Sequence, residues 1–397
     1  MGRLPACPTV TIVGGGMITH DQILPTLYHM QRSGAVGEIA VCASRPATVQ
    51  ALAAAESLRL AFPGQTFRGL PESGDPQPEL YRETIRRMPP RQIVVAAVPD
   101  QLHFDVIMTA LDHDQHVCAV KPLVLRHKQA VEIEEKARSK NLVVGVEYHK
   151  RFDDRSLMAR RKYRAGLFGE FRLGTAVLME KWYYRHSNFQ NWCTTENSDA
   201  FTYIGCHYVD LVHFITGLLP TRVSVYGIPD RYPNGKEGFL WTDARVIWNN
   251  GACLNVQNSL SFPDATPGTN TQGMTLYCQG PDKGALISHS DQYRGLKYSY
   301  VDGSYAEPSP DYFQYVDLGG KGLTPVGYGY RSVEYIVNKC IEVESADAGS
   351  RSAMLLEIDD AGIMATPANS RYNERVIEAG RESILNGGRE VTIEYGD

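Results

Sequence analysis

Two rhythms of apolar and polar residues run along this chain and change over near residue 150. Up to that point short runs rich in Val, Ile and Ala, "TVTIVGG", "EIAVCAS", "QIVVAAV", "HVCAV" and "NLVVGVEY", are closed by Gly, Pro or polar residues and read as strands. Between them lie amphipathic stretches, "DQILPTLYHMQRSG", "PATVQALAAAESLRL", "FDVIMTALDHD" and "HKQAVEIEEKARSK", that read as helices. Strands apolar on both faces, alternating with helices, predict a parallel, doubly wound α/β sheet. Sheets of that kind bind ligands at the carboxyl ends of their strands.

Beyond about residue 155 the rhythm lengthens. A helix is predicted over "RSLMARRKYRAGLFGE". The alternating segments "FRLGTAVLMEKW", "TRVSVYGI", "DARVIWNNGACLNVQNSLSF" and "TQGMTLYCQG" then predict a large, mainly antiparallel sheet. Inside the third, "WNNGA" predicts a hairpin whose Asn-Gly supplies the positive φ of a type I′ turn. One helix, "YIGCHYVDLVHFITG", interrupts this half, and "YRSVEYIVNKCIEVE" and "ANSRYNERVIEAGRESILNGG" predict helices at its end.

Composition narrows the function classes. A chain of 397 residues is too long for one ordinary core. With 43% hydrophobic and 21% charged residues it is neither disordered nor fibrous. A net charge of -5 and the lack of a dense basic run argue against nucleic acid as a partner. The eight cysteines are scattered, with no CxxC pair and no Cys/His spacing suited to zinc, so no metal is expected and a reducing, cytoplasmic compartment is. No apolar run approaches the roughly 20 residues of a membrane helix. The start "MGRLPACPTV" lacks a signal-peptide core and has Ala6 where a lipidation motif needs Ser or Thr. The expected partner is a small molecule, with no membrane.

Candidate chemistry begins in "TVTIVGGGMITH", a strand, a glycine turn and a helix start. Gly14 permits the turn, Gly16 lets a pyrophosphate approach backbone N–H groups, and Met17 follows at the helix N-terminus. Thr19 takes the third place of G-x-G-x-x-G, where Gly or Ala is usual. Ser44 and Arg45 follow the second strand, where an acidic residue would select NAD; a hydroxyl and a guanidinium favour the 2′-phosphate of NADP, although an arginine can also stack on adenine. In "VVAAVPDQLHFDVI" Pro99 closes a strand and His103 opens a helix. In "HVCAVKPLVL" Lys121 puts a charge where a buried strand ends.

Gly14 and Gly16, the segment Pro99 to His103, Lys121-Pro122 and "GVEYHKRFD" together resemble, in order and spacing, the Gfo/Idh/MocA oxidoreductases, the family of glucose-fructose oxidoreductase and inositol dehydrogenase. "RAGLFGEFR" resembles that family's entry into its second domain and "GCHYVD" its G-x-H-x-x-D helix, so the resemblance covers residues 9 to about 217. It implies an NAD(P)-binding Rossmann domain over 1–150 and a C-terminal α+β domain with an open, mainly antiparallel sheet over 151–397. It also implies a homo-oligomer, dimer or tetramer.

The implied reaction is hydride transfer between a nicotinamide and a carbinol carbon of a sugar, sugar acid or cyclitol. In the family the lysine of Lys-Pro reaches the nicotinamide and the reacting hydroxyl; here that is Lys121, with Val120 in place of the usual glutamate. Pro99 and His103 are implied on the cofactor side. His149 stands where an asparagine is common, between Tyr148 and Lys150-Arg151. The two cations either bind an anionic substrate or pair with acidic residues between domains. His207 and Asp210 fit the helix motif, but Tyr203 occupies the place of the usual aspartate. On a helix Tyr203 and His207 share a face, yet a tyrosine cannot keep an imidazole charged as a carboxylate does. The expected catalytic set is therefore Lys121, His207, Tyr203 and His149, with Asp210 capping or orienting.

The loop "EKWYYRHSNFQNW" has the aromatic and basic density of a carbohydrate contact. Trp182, Tyr183, Arg185 and Trp192, with Tyr148, Arg151 and Asp210, complete the expected substrate side; filling of a domain interface explains the aromatics equally well. Two other functions fit the departures. One is a redox-assisted glycoside hydrolase or lyase with a retained NAD, and the other a nucleotide sensor without catalysis.

Overall fold

The computed structural model describes residues 7–266, 268–280, 283–290, 298–299, 305–306 and 308–395. The Met1–Ala6 start, on which the lipidation argument rests, lies outside the described residues. The chain forms two compact units.

The first unit holds six parallel strands: β1 (Val10–Val13), β2 (Ile39–Cys42), β3 (Arg68–Leu70), β4 (Ile93–Ala96), β5 (His116–Val120) and β6 (Val144–Glu147). Their order is β3-β2-β1-β4-β5-β6, so the direction of winding reverses between β1 and β4. Except in the short edge strand β3, the strand residues are almost all buried, which accounts for their near-continuous apolar runs. Helices α1 (Leu24–Arg32), α2 (Pro46–Ala54), α3 (Glu56–Ala61), α4 (Leu80–Arg86), α5 (His103–Asp112) and α6 (His127–Lys140) fill the connections. The single helix expected over 46–60 breaks at Ala55, whose extended ψ of 110° separates α2 from α3.

The units do not follow one cut at residue 150. Apart from Leu125–His127, which groups with the second unit, the first unit runs to His149 and the second takes over at Lys150, but Tyr312–Asn369 belongs to the first unit and not, as expected, to the second. That segment carries α10 (Tyr328–Ser345) and α11 (Arg351–Ala361), in the chain order that runs through α7 (Asp154–Arg164), the single turn α8 (Phe189–Trp192) and α9 (Cys206–Thr216). Val333, Ile336, Val337 and Cys340 bury one face of α10, which packs on β5 and β6. Gly145 makes that approach possible, because a Cβ there would come within 2.5 Å of Ile336. The helix covers the parallel sheet that β6 would otherwise leave open.

The second unit is built on β7 (Phe171–Lys181), β8 (Pro220–Arg231), β9 (Glu237–Trp248), β10 (Cys253–Phe262), β11 (Asn270–Cys278), β12 (Ala285–Ser290) and β13 (Val391–Thr392), in the order β12-β11-β7-β10-β9-β8-β13. Every pair is antiparallel except β7 with β10, which makes the sheet mixed at its centre. The β9–β10 hairpin forms at "WNNGA" but not through a type I′ turn. Gly251 (φ +80°) alone has positive φ; its N–H donates to Trp248 O, and Trp248 N–H donates to Ala252 O. This is a tight turn followed by a left-handed glycine. One face of the sheet alternates into the core. The other carries Leu173, Tyr226, Ile228, Tyr277 and Leu286, each at least half exposed. The final helix, α12 (Pro367–Leu385), supplies Tyr372 to this unit.

Candidate active site

The nucleotide side is built at the carboxyl ends of the parallel strands. β1 runs into Gly14, which adopts φ +109° and passes so close to the next strand that a Cβ would lie 2.0 Å from Ala97 O. No other residue fits that turn. Thr19, fully buried, donates its hydroxyl to Gly14 O at 2.9 Å and opens a π-helical turn, Thr19–Ile23, that leads into α1. The departure from Gly or Ala at this third position is thus absorbed by the turn it ties down. A Cβ built on Gly16 meets nothing within 4 Å, so open space faces the helix that begins at Met17. That cradle fits a dinucleotide pyrophosphate on N–H groups.

Ser44 and Arg45 lie exposed just past β2, with Arg45 leading into α2, and the Arg45 side chain makes no hydrogen bond or ion pair with any described residue. Pro99 precedes a short turn into α5. His103 is fully buried, with Nε2 2.9 Å from Val98 O and Nδ1 2.8 Å from Pro122 O. Its ring braces the loop after β4 against the turn that follows Lys121. Lys121 closes β5 and is 9% exposed.

β6 ends in a polar cluster that sequence reading missed. Glu147, 2% exposed, is the in-register partner of Val120. Its Oε1 accepts from Gln22 Nε2 at 2.7 Å and Ser332 Oγ at 2.6 Å, and its carboxylate lies 3.2 Å from His149 Nδ1. Tyr312 donates to Gln22 Oε1 at 2.8 Å. The His149 ring lies 5.6 Å from Tyr328, nearly parallel to it, and 5.3 Å from Tyr312. Tyr148, next in sequence, is buried. A carboxylate at the end of an apolar strand is the same signal that singled out Lys121, and "NLVVGVEY" contains it.

In the second unit several expected ligand residues are structural. Arg151 and Asp210, both buried, form a two-point ion pair, Nε–Oδ2 2.8 Å and Nη2–Oδ1 2.6 Å, and Tyr372 donates to Asp210 Oδ1 at 2.8 Å. This pair holds α9, so a structural role stands beside the expected substrate contact. The Arg151 partner also lies within this unit, not between domains. Lys150 is buried and donates to Gln272. Arg185 is likewise buried, donating to Asp230 Oδ2 at 2.6 Å and Leu260 O at 2.8 Å beneath the half-exposed Trp182 ring.

His207 and Tyr203 sit in a continuous helical stretch whose first part, Phe201–Gly205, is a π turn. Tyr203 meets the expected Trp192 at 5.6 Å and Phe189 at 4.5 Å, so the aromatic loop and this helix do come together. Asp199, fully buried, caps the stretch by accepting from Thr202 N–H at 2.7 Å. Among the described residues no cluster of His, Cys, Asp and Glu is placed to hold a metal ion, and no helix is long and apolar enough to cross a membrane.

Residues 9–148 match the model of the Gfo/Idh/MocA family, described as an oxidoreductase family with an NAD-binding Rossmann fold. An uncharacterized oxidoreductase of Schizosaccharomyces pombe is 32% identical over 123 residues, 30% of this chain and 32% of that protein. D-glucoside 3-dehydrogenase of Escherichia coli is 24% identical over 213 residues, 52% of this chain and 54% of that protein. The chain thus spans about a third and about half of these relatives' lengths. The crystal structure of myo-inositol 2-dehydrogenase from Lactobacillus plantarum shares the fold over 98% of this chain and 100% of that one, with a TM-score of 0.66 at 14% identity. Residues 9–148 thus match the NAD-binding Rossmann domain of the Gfo/Idh/MocA oxidoreductases, and the chain as a whole shares its two-unit fold with the myo-inositol 2-dehydrogenase structure.

Proposed function

We propose that this protein is an NAD(P)-dependent dehydrogenase that oxidises, or reduces back, a carbinol carbon of a sugar, sugar acid or cyclitol. The observation that carries this reading is the co-location of the Gly14–Met17 turn and Lys121 at the carboxyl ends of one parallel sheet. A bound nicotinamide would supply the hydride acceptor. Lys121, nearly buried, offers an ammonium to the carbinol oxygen and stabilises the charge that grows there. His207 exchanges the proton, while Tyr203 and His149 hold the substrate through hydroxyl and imidazole hydrogen bonds. Trp192 and Trp182 offer flat apolar faces to a ring.

Ser44 and Arg45, which pairs with no described residue, support NADP over NAD, since their exposed donors match a 2′-phosphate. The exposed sheet face supports a homo-oligomer. Leu286, Tyr277, Leu173 and Cys253 are successive in-register partners across four strands and form an apolar row that a second copy would cover. Eight free cysteines support a reducing, cytoplasmic setting. No observation favours glycoside cleavage over simple dehydrogenation. The test is to identify any nucleotide released from the denatured protein, and to screen polyols, sugar acids and aryl glycosides for nicotinamide reduction and aglycone release. Reduction by a polyol or sugar supports the reading. Aglycone release without net reduction, or no nucleotide and no turnover, refutes it.

A further inference from the structure

Two carboxylates usual in this family's site are missing here: Val120 and Tyr203 stand in their places. The first absence has a neighbour that answers it. Val120 and Glu147 are in register on adjacent parallel strands, so their side chains leave the same face of the sheet about 5 Å apart. Glu147 therefore brings a carboxylate beside the position from which the strand before Lys121 lacks one.

This carboxylate is built in. It is 2% exposed, and a buried charge is tolerated only where donors replace water. Gln22 and Ser332 both donate to Oε1, and Gln22 is fixed in turn by the Tyr312 hydroxyl. With two donors already on the carboxylate, its contact with His149 Nδ1 at 3.2 Å is met by an N–H from the ring. Tyr328 and Tyr312 flank that ring and limit its rotation. A neutral imidazole that donates from Nδ1 keeps its lone pair on Nε2.

We propose, resting on the dehydrogenase reading but giving His149 in place of His207 the role of proton acceptor, that Glu147 is a positioning residue that locks His149 in the Nδ1–H form, and that His149 Nε2 takes the hydroxyl proton as the carbinol is oxidised. The step balances. The carbinol C–H leaves as hydride to the nicotinamide, the O–H proton goes to Nε2, the C–O bond becomes C=O, and Glu147 stabilises the imidazolium without accepting its proton. His149 thereby has the carboxylate partner that Tyr203 does not offer His207. The segment returning from beyond residue 312 is part of the machinery, since it supplies Ser332, Tyr312 and Tyr328.

The test needs no known substrate for its first part. In protein labelled with 15N-histidine, with His149 assigned by its loss in His149→Gln, the Nδ1 signal is expected to be of the protonated type and Nε2 of the unprotonated type. In Glu147→Gln, where the amide can donate to Nδ1, the ring is expected to shift towards the Nε2–H form. The second part is kinetic: His149→Gln lowers kcat about 10²-fold, Glu147→Gln at least about tenfold, KM changes less than about twofold, and the double variant is no slower than His149→Gln. An Nε2–H ring in the wild type, an unchanged ring in Glu147→Gln, or multiplying kinetic losses overturns the proposal. The wild-type spectrum decides even if Glu147→Gln does not fold. An Nδ1–H ring in a protein that turns over no carbinol supports the positioning role and sinks the dehydrogenase reading instead.

Discussion

Val120 and Glu147 are in-register partners on the last two strands of the parallel sheet, so a carboxylate absent from one strand end is present on the next. The surroundings of Lys121 are therefore less depleted of acid than the segment "HVCAVKPLVL" suggests. The same lesson runs through the second unit: charges that look available in the sequence are already engaged, and this leads to the first prediction.

Arg151 and Asp210 are a buried pair, and removing one partner leaves the other charge without its counterion. Arg151→Met or Asp210→Leu alone should destabilise the protein by about 3–5 kcal/mol, whereas the double substitution should be markedly milder. Denaturant melts of the three variants check this. A loss in the double variant equal to the sum of the two single losses would show that the charges act independently.

What could be read from the sequence, and what could not, follows from the range of the forces involved. Gly14 was legible because a strand-to-helix turn constrains its own backbone, and Lys121 because a charge at the end of an apolar run is conspicuous within ten residues. The Glu147 cluster was not, since Gln22 lies 125 residues away and Ser332 185. The burial of His103, Arg151 and Arg185 was not legible because residue type does not reveal it, and their partners Pro122, Asp210 and Asp230 lie 19, 59 and 45 residues away. The stripe on α10 predicted a helix but did not say which sheet it covers. That depended on Gly145, whose missing side chain matters only once the two elements meet.

Arg45 is exposed and makes no pair with any described residue. If it holds a 2′-phosphate, Arg45→Ala should weaken NADPH binding about tenfold or more while leaving NADH within about twofold. Fluorescence titration of both nucleotides checks this. Equal effects on the two would assign Arg45 to adenine stacking or to none.

His213 is held down to about pKa 4 chiefly by burial, with its hydrogen bond to the Leu218 carbonyl opposing and the Arg151 charge reinforcing the shift. Its folded value lies below the ordinary 6.5, so between those two values the unfolded chain binds the extra proton. Stability is therefore lost as pH falls from 6.5 towards 4, by about 3 kcal/mol for this group. The stability difference between wild type and His213→Gln should shrink by that amount over this interval in denaturant melts. A constant difference would contradict it.

The row Leu286, Tyr277 and Leu173 is exposed on the open face of the second sheet. Leu173→Glu with Tyr277→Lys should turn an oligomer into a monomer in light scattering coupled to size exclusion, with dinucleotide affinity unchanged. A wild-type monomer at micromolar concentration, or an unaltered mass in the variant, would remove this face as the contact.

The central claim is that Lys121 serves the chemistry at a nicotinamide site. Lys121→Met, assayed on the carbinol substrate that the wild type turns over fastest, should lower kcat by about 10²–10⁴-fold while dinucleotide binding stays within about threefold. A variant that binds nucleotide and still turns over at close to the wild-type rate would contradict the account.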